Sequence, residues 1–428
     1  MEKIREKLPF SKLLLLAFQM FIVIFPATVV VPLITGFDVA TCLFCTAFST
    51  IVFVAVTKGE IPLYFGSSFS YISTIATLMA VTNGSQDNKI GMMTFGLLFS
   101  GLVNIIIGLL INKIGFNNIS KIITPTLCGG VAICIGVTLA GSAITDSFSG
   151  SELSGGICIA TLLLMILFNA LLKGFPQQLS LLLGLICGVI ISFIFDKTLF
   201  REALNTGSAI ISFPHFVLPV PNWVTPLSLS VVSLATCTES FAHLTQLEAI
   251  VDKELPDDKK THLSKKIDRV MIGDGLADIA SCLLGGCGST SYGEQLGLMG
   301  ITKVYSIWVV IAAAVIAMIF SLVKPFINFI YSIPLCVIGA MEIYCFGSII
   351  VQGISVLQEQ KILSAKNLSI LATVLMIGIG GNYAFGGYIP FLGKEIPCIA
   401  FASIFGIILN LILMKKGEEW FKFIIVIV

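Results

Sequence analysis

The 428-residue sequence has little charge: Asp, Glu, Lys and Arg make up 11% of it, whereas 56% of its residues are hydrophobic. A soluble chain of this length needs far more than 24 acidic and 25 basic residues to cover its surface. The formal net charge of +1 gives no basic excess that would attract nucleic acid. With a mean hydropathy of +1.01, the sequence predicts a polytopic membrane protein whose principal partner is the lipid bilayer.

Histidine is scarce, with three residues, and no set of cysteine pairs has the spacing of a zinc site. The twelve cysteines lie singly in apolar segments, apart from Cys42 and Cys45. We therefore expect reduced, buried cysteines, no metal site and no cofactor. The N-terminal segment MEKIREKLPFSK leads into a long apolar run without a small-residue cleavage site, which predicts a retained first helix.

Apolar runs separated by charged or Gly/Asn/Ser-rich breaks recur along the whole chain. Runs of roughly 17 to 25 residues are long enough to cross a bilayer as helices. The pattern predicts an all-α protein with fourteen spans, at residues 12–35, 39–57, 61–80, 91–112, 121–141, 156–172, 177–196, 226–249, 267–285, 289–301, 303–323, 328–354, 367–383 and 395–415.

Lysine and arginine are distributed unequally between the two sides of this topology. If both termini are cytoplasmic, 20 of the 25 basic residues lie inside. Those left outside are Lys89, Lys197, Arg201, Lys324 and Lys394. Because cytoplasmic loops carry an excess of Lys and Arg, this bias predicts cytoplasmic termini and an even number of spans. The polar segment 252–269 then lies in an inner loop, and segment 142–155 in an outer loop.

Two of the predicted spans are interrupted in the same way. The third contains GSSFSY (66–71) and the tenth begins near GSTSYG (288–293), and each is the third span in its half of the chain. Matched interruptions in two halves of a transporter indicate inverted repeats with a substrate site near the bilayer midplane. Non-helical backbone at membrane depth is tolerated where it lines a cavity or packs inside protein.

Acidic residues inside the apolar spans are candidate functional groups, because each costs at least ~2.5–3.5 kcal/mol at the bilayer centre. Glu239 lies near the middle of the eighth span, and His243 follows it by one helical turn. A carboxyl group beside an imidazole is suited to carrying a proton. The alternative is a structural Glu–His hydrogen bond that ties helices together.

The other buried acidic residues are less specific. Glu294 follows the break in the tenth span, where it would either bind a ligand or complement the helix dipole. Two carboxylates at one cavity, Glu239 and Glu294, suit a substrate with several N–H donors. Asp274 and Asp278 lie near the predicted cytoplasmic start of the ninth span, which favours structural or interfacial roles. The sequence identifies no partner for Glu342 in the twelfth span.

Four segments resemble the nucleobase–cation symporter-2 or nucleobase–ascorbate transporter family, especially its bacterial uracil permeases. They are FPATVVVP (25–32), KGEIPLYFGSSFSYIS (58–73), ESFAH (239–243) and STSYGEQLGLMGITKVYS (289–306). The resemblance implies a seven-plus-seven inverted repeat of fourteen helices that are divided into two domains. A core domain would comprise residues 12–112 and 226–323, and a gate domain residues 121–196 and 328–415.

The resemblance also implies roles for individual residues. Glu239 and Glu294 would hydrogen-bond the base, and His243 would partner Glu239 in proton coupling. Phe69 and Gly293 would offer backbone donors, and Ala27 and Tyr292 would line the cavity. The family signature of the tenth span fits Glu294, Gly297, Thr302 and Lys303. Gln295 stands where asparagine is expected and is a candidate for selectivity. In the first span, Met20 stands where uracil permeases carry a histidine.

The combined prediction is a proton-coupled secondary active transporter, not an enzyme, that imports uracil across a bacterial plasma membrane. Both motif carboxylates also suit xanthine, so this purine remains an alternative. The resemblance further implies a homodimer formed through the gate domains. Three alternatives remain: an anion exchanger of the same fold, an intramembrane aspartyl protease built on Asp274, and a receptor that does not transport. Two carboxylates at the site disfavour the exchanger, and the protease lacks a second aspartate on the eighth span.

Overall fold

The computed structural model describes residues 2–201, 209–253, 255–256, 260–358, 364–391 and 394–414. The predicted cytoplasmic C-terminal segment from residue 415 onward lies outside the described residues. Most of the described chain is helical. The helices are α1 (Glu2–Arg5), α2 (Phe10–Thr35), α3 (Val39–Val56), α4 (Ile72–Val81), α5 (Gln86–Ile114), α6 (Phe116–Ile119), α7 (Pro125–Phe148), α8 (Ser154–Leu171), α9 (Phe175–Gln178), α10 (Ser180–Phe195), α11 (Val224–Asp252), α12 (Ile267–Leu283), α13 (Glu294–Thr302), α14 (Ile307–Ser321), α15 (Lys324–Ser332), α16 (Leu335–Gln358), α17 (Ala365–Phe385) and α18 (Cys398–Leu413).

Many of these helices have the length and composition of membrane spans. Among the described residues, seven helices are long and apolar enough to cross a membrane: α2, α3, α5, α7, α8, α16 and α17. Helices α10, α14 and α18 are shorter but also apolar. Outward-facing apolar side chains such as Leu171, Ile194 and Met376 are 67% to 74% exposed, as expected for a surface that faces lipid. The chain is therefore a multi-pass membrane protein.

The predicted twelfth span, 328–354, is not one continuous helix. Helix α15 ends at Ser332, and α16 begins at Leu335. Between them, Ile333 has extended backbone angles, because a residue that precedes proline is disfavoured in the helical region. Pro334 therefore separates a short helix from the long helix that carries Glu342.

Two short antiparallel sheets interrupt the helices. Strand β1 (Phe65–Ser67) pairs with β2 (Ser289–Ser291), so that Phe65 faces Ser291 and Ser67 faces Ser289. These strands coincide with the breaks predicted in the third and tenth spans. A second sheet, β3 (Tyr388–Phe391) with β4 (Lys394–Pro397), was not predicted. It follows Gly386 and Gly387, whose positive φ angles turn the chain out of α17.

Small residues allow close packing of two long helix pairs. A Cβ on Gly275 of α12 would lie 2.3 Å from the carbonyl oxygen of Gly101 of α5. Between α7 and α16, a Cβ on Gly353 would lie 2.8 Å from the carbonyl oxygen of Gly129. Larger side chains would separate these backbones, as in membrane helix interfaces generally. The structure thus fixes α5 against α12 and α7 against α16.

The polar segment 252–269 is anchored where it enters α12. Lys266 and Arg269 each donate to the Glu60 carboxylate at 2.9 Å, and Glu60 lies in the turn after α3. The hydrogen bond from Lys266 and the charge of Arg269 lower the pKa of Glu60. These contacts connect the end of α3 to the start of α12.

Candidate functional site

The site is built on the β1–β2 sheet and on the half-helices that follow each strand. After β1, a 3₁₀ turn at Phe69–Tyr71 leads into α4, and after β2, Gly293 precedes the first residue of α13, Glu294. The first amides of a helix have no partner within the helix. Phe69 and Gly293 therefore stand where two helix N-termini meet.

A cavity of about 250 Å³ opens between these half-helices, α11 and α16. This volume lies just below the range of roughly 300–1,000 Å³ that is typical of ligand pockets, which favours a small ligand. Its lining residues are Phe69, Glu239, His243, Thr290, Ser291, Tyr292, Gly293, Glu294, Cys345, Ser348, Ile349 and Gln352.

Six of the eight predicted site residues line this cavity: Glu239, His243, Glu294, Phe69, Gly293 and Tyr292. Glu239 and Glu294 are both half-buried, and both line the cavity. The rings of Phe69 and Tyr292 are stacked, with centroids 6.3 Å apart and an interplanar angle of 24°. The cavity thus combines two acidic groups with an aromatic pair.

Glu239 and His243 do not bond to each other in the described part of the chain. The Ser70 hydroxyl donates to Glu239 Oε2 at 3.3 Å, whereas His243 Nδ1 lies 2.9 Å from the Ser291 hydroxyl. Ser70 follows β1, and Ser291 lies in β2. Helix α11 therefore contacts each of the two broken spans through a different residue, in place of the expected Glu–His pair.

Ala27 and Gln295 do not line the cavity. Ala27 lies in α2, is 1% exposed and belongs to the hydrophobic core. Gln295 is fully buried, and its amide bonds to both polar groups of the Tyr64 backbone: Tyr64 N donates to Oε1 at 2.7 Å, and Nε2 donates to the carbonyl at 3.2 Å. Gln295 therefore joins α13 to the segment before β1, which is a positioning contact and not direct contact with a ligand.

Asp274 and Asp278 are deeply buried, which agrees with the structural role and not with the interfacial role that the sequence left open. Asp278 accepts from Ser289 N at 2.6 Å, which fixes the start of β2. Asp274 accepts a hydrogen bond from the hydroxyl of Ser240 at 2.9 Å, and Ser240 directly follows Glu239 in α11. Asp278 thus holds the backbone of β2, and Asp274 holds the side chain of Ser240, which is next to Glu239 in the chain.

Four lining residues on α16 were missed: Cys345, Ser348, Ile349 and Gln352. Ser348, Ile349 and Gln352 follow Cys345 by three, four and seven residues, so all four form one face of the helix. The signal that could have identified this face is the pair of polar residues Ser348 and Gln352, which lie one helical turn apart in a mostly apolar span. This face forms the wall opposite the broken helices.

We expect Gly66→Ala to disrupt the cavity. A Cβ at this position would lie 2.3 Å from the ring of Tyr292, whose hydroxyl donates to the Ser67 carbonyl at 2.7 Å. Displacing the ring should lower the free energy of unfolding by about 1–3 kcal/mol and weaken ligand binding. Thermal unfolding in detergent and ligand titration would measure both effects. Gly156→Ala, on an exposed face of α8 with open space around it, is the matched control. A Gly66→Ala protein that matches this control in both measurements would contradict the packing argument.

Comparison with known proteins identifies relatives along nearly the whole chain. Residues 11–387 match the model of a permease family. The uracil permease of Paenibacillus larvae is 30% identical, over 96% of this chain and 96% of its own length. The uracil permease of Bacillus subtilis is 32% identical, over 92% of this chain and 91% of its own length.

Solved structures with the same fold are more distant in sequence. The transmembrane domain of the cyanobacterial bicarbonate transporter BicA is 13% identical, with a TM-score of 0.59 over 95% of this chain and all of that chain. The murine anion transporter Slc26a9 in its inward-facing state is 11% identical, with a TM-score of 0.66 over 96% of this chain and 69% of that chain. These likenesses establish the fold. The family match and the curated relatives establish that the chain belongs to the permease family of nucleobase–cation symporter-2, or nucleobase–ascorbate, transporters.

Proposed function

We propose that this permease imports a nucleobase together with a proton, and that uracil is its substrate. Members of its family are permeases, so the chain is a transporter and not an enzyme. The observation that carries the proposal is the pair of carboxyl groups, Glu239 and Glu294, at one cavity between two broken helices. Relatives that are named uracil permeases support uracil, and xanthine is the alternative within the same family.

The chemistry of the cavity suits a planar ring with N–H and C=O groups. Carboxylates accept hydrogen bonds from ring N–H groups, and the amides near Phe69 and Gly293 are suited to donate to carbonyl oxygens. The aromatic pair of Phe69 and Tyr292 offers a face for stacking. A nucleobase presents all three kinds of group.

Glu239 is the proposed proton carrier. It would take a proton from outside, and the base would then bind between Glu239, Glu294 and the half-helix amides. His243 is hydrogen-bonded to Ser291 of β2, so the β1–β2 sheet would couple His243 to the protonation of Glu239. Only ligands that bind the outward-facing and inward-facing states differently can drive such a cycle.

The packing of the helices supports a seven-plus-seven inverted repeat of fourteen spans. In such a repeat, each span of the first half has a counterpart seven spans later. A contact between two helices should therefore have a matching contact between their two counterparts. The α5–α12 pair corresponds to α14–α3, the α14–α2 pair to α5–α11, and the α8–α10 pair to α17–α18. In this arrangement the core domain comprises residues 12–112 and 226–323, and the gate domain residues 121–196 and 328–415. Helix α16 would present the gate face of the cavity.

The remaining parts of the proposal concern assembly and orientation. Both termini would be cytoplasmic in a bacterial plasma membrane, since the charge bias supports this orientation. A homodimer through the gate domains would give the core a fixed surface to move against. Anion transport is less well supported, although BicA and Slc26a9 share the fold. Two carboxyl groups at the cavity would repel an anion.

Uptake of radiolabelled uracil into proteoliposomes tests the function. We expect an inward proton gradient to drive accumulation, and unlabelled uracil to inhibit it more strongly than xanthine, hypoxanthine, adenine, uric acid or sulfate. Binding of xanthine by a protein that takes up no uracil would replace the substrate but keep the site. Inhibition by sulfate alone would overturn the nucleobase proposal, and an equal response to a sodium gradient would overturn proton coupling.

A further inference from the structure

Glu342 is a buried acidic residue that the proposed transport cycle does not use. It lies in α16 and is 0% exposed, and no group in the described part of the chain donates a hydrogen bond to either of its carboxylate oxygens. An ionised carboxylate in such a place is strongly disfavoured, so a buried charge is normally paired or neutralised. Glu342 also lies outside the set of residues that line the cavity. It therefore needs a separate explanation.

The group that faces Glu342 most directly is a second carboxyl group, Asp146 of α7. Two carboxylates cannot bond to each other, because both only accept hydrogen bonds; one of them must first hold a proton. Arg201, which follows α10 in the chain, contributes a positive charge to the pair. Among the described residues, the other titratable groups that face Glu342 are the thiols of Cys158 on α8 and Cys345 on α16 itself.

Backbone packing holds the two carboxyl groups together. Gly339 precedes Glu342 by one helical turn, and a Cβ on Gly339 would lie 2.6 Å from the amide nitrogen of Ser147. Ser147 follows Asp146 directly, and its hydroxyl already donates to the Ala143 carbonyl at 2.6 Å. The end of α7 therefore contacts α16 at backbone distance, which places Asp146 beside the turn of α16 that carries Glu342.

The charges of this cluster balance when it holds one proton. Two carboxylates and one guanidinium sum to a net charge of −1, and one bound proton makes the cluster neutral. Carboxyl pairs that share a proton in this way are a known solution where two like charges cannot both ionise. We propose that Glu342 and Asp146 share one proton, with Arg201 as counter-charge, and form a second proton-binding site at the α7–α16 contact, separate from the cavity.

A proton fits this place better than a metal cation. Hard cations need several oxygen ligands, whereas the groups around this carboxyl pair include thiols and a guanidinium. Among the described residues, no group of three or more His, Cys, Asp and Glu side chains has an arrangement that could hold a metal ion. The ligand is therefore assigned as a proton.

The site makes the gate helices sensitive to pH. When the proton is lost, two carboxylates face each other across a backbone contact, and their repulsion acts to separate α7 from α16. Because α16 also carries cavity residues Cys345 and Ser348, this change would reach the substrate site. The proton site itself does not depend on which substrate the permease carries.

Two measurements on the detergent-solubilised protein test the proposal. They are infrared difference spectroscopy and thermal unfolding, each followed from acidic to alkaline pH. We expect a carbonyl band of a protonated carboxyl group that Glu342→Gln removes and that Asp146→Asn shifts, because the partner of the proton changes. Glu239→Gln, a control, should leave this band in place. The folded chain holds this proton more tightly than the unfolded chain, so the wild-type unfolding midpoint should fall as pH rises through the titration of the pair. In Glu342→Gln the midpoint should fall less over the same pH range.

Several results would overturn the assignment. An unchanged band in both variants, or an equal fall of the midpoint in wild-type and Glu342→Gln protein, would remove the shared proton. Stabilisation of the wild type but not of Glu342→Gln by sodium at fixed pH would assign a metal cation instead. Asp146→Asn keeps the test decisive if Glu342→Gln does not fold. None of these measurements requires transport, so a failure of uracil uptake would leave the proton site standing.

Discussion

Replacing Glu239 with glutamine is expected to abolish concentrative uptake of the substrate, so that the internal concentration only equals the external one. Glutamine keeps an oxygen that accepts the hydrogen bond from Ser70, but its amide does not titrate and so cannot carry a proton. Binding and exchange of substrate should therefore continue. Uptake driven by a proton gradient, and counterflow without a gradient, would separate the two activities.

The same substitution at Glu248 is the matched control, because Glu248 lies on the same helix and accepts a hydrogen bond from Ser264 N. It does not line the cavity, so Glu248→Gln should accumulate substrate normally. If Glu239 had only a structural role, Glu239→Gln would also accumulate substrate, because the contact with Ser70 survives. Such a result would remove Glu239 as the proton carrier.

The broken helices could be located from the sequence, because their signal is local. Gly and Ser cluster in two otherwise apolar runs, and a cluster of this kind indicates non-helical backbone wherever it occurs. The pairing of the two breaks, by contrast, has no local signal in the sequence. Phe65 and Ser291 are far apart in the chain, so their register depends on how the two halves pack. The sequence could predict that both breaks exist, but not how they pair.

The role of Gln295 shows the same limit. Its position beside Glu294 in the family signature makes it a candidate for selectivity. The structure instead directs its amide to the Tyr64 backbone, and that partner becomes a neighbour only when β1 pairs with β2. Selectivity would then arise indirectly, through the position of α13.

The α16 wall and the partner of Glu342 were missed for a related reason. Cys345, Ser348 and Gln352 share a helix face, but nothing in their own segment shows that this face meets α11 and the broken helices. In the same way, Asp146 lies in a polar stretch that looks like an ordinary outer loop. Its proximity to Glu342 follows from the glycine contact between α7 and α16. Local composition therefore identified the buried acidic residues as candidate functional groups, whereas tertiary packing determined their partners.

Replacing Glu294 with alanine is expected to weaken binding of the base by roughly 10- to 150-fold. Glu294 is the first residue of α13 and lines the cavity across from Glu239. A hydrogen bond to a charged group contributes about 1.5–3 kcal/mol, and each 1.4 kcal/mol corresponds to about a tenfold change in Kd. Isothermal titration with uracil, or scintillation proximity binding, would measure the change. Glu294→Gln, which keeps one acceptor oxygen, should lose less affinity than Glu294→Ala.

Measuring thermal stability in the same variants distinguishes ligand binding from a purely structural role. A carboxylate at the first turn of a helix also complements the helix dipole, which is worth typically about 0.3–1 kcal/mol. If Glu294 served only the dipole, Glu294→Ala would lower the unfolding midpoint and leave Kd unchanged. If it binds the base, the added substrate should stabilise the wild type far more than Glu294→Ala, because stabilisation by a ligand grows with the ratio of its concentration to Kd. Equal stabilisation of both proteins by the base would move the binding site away from α13.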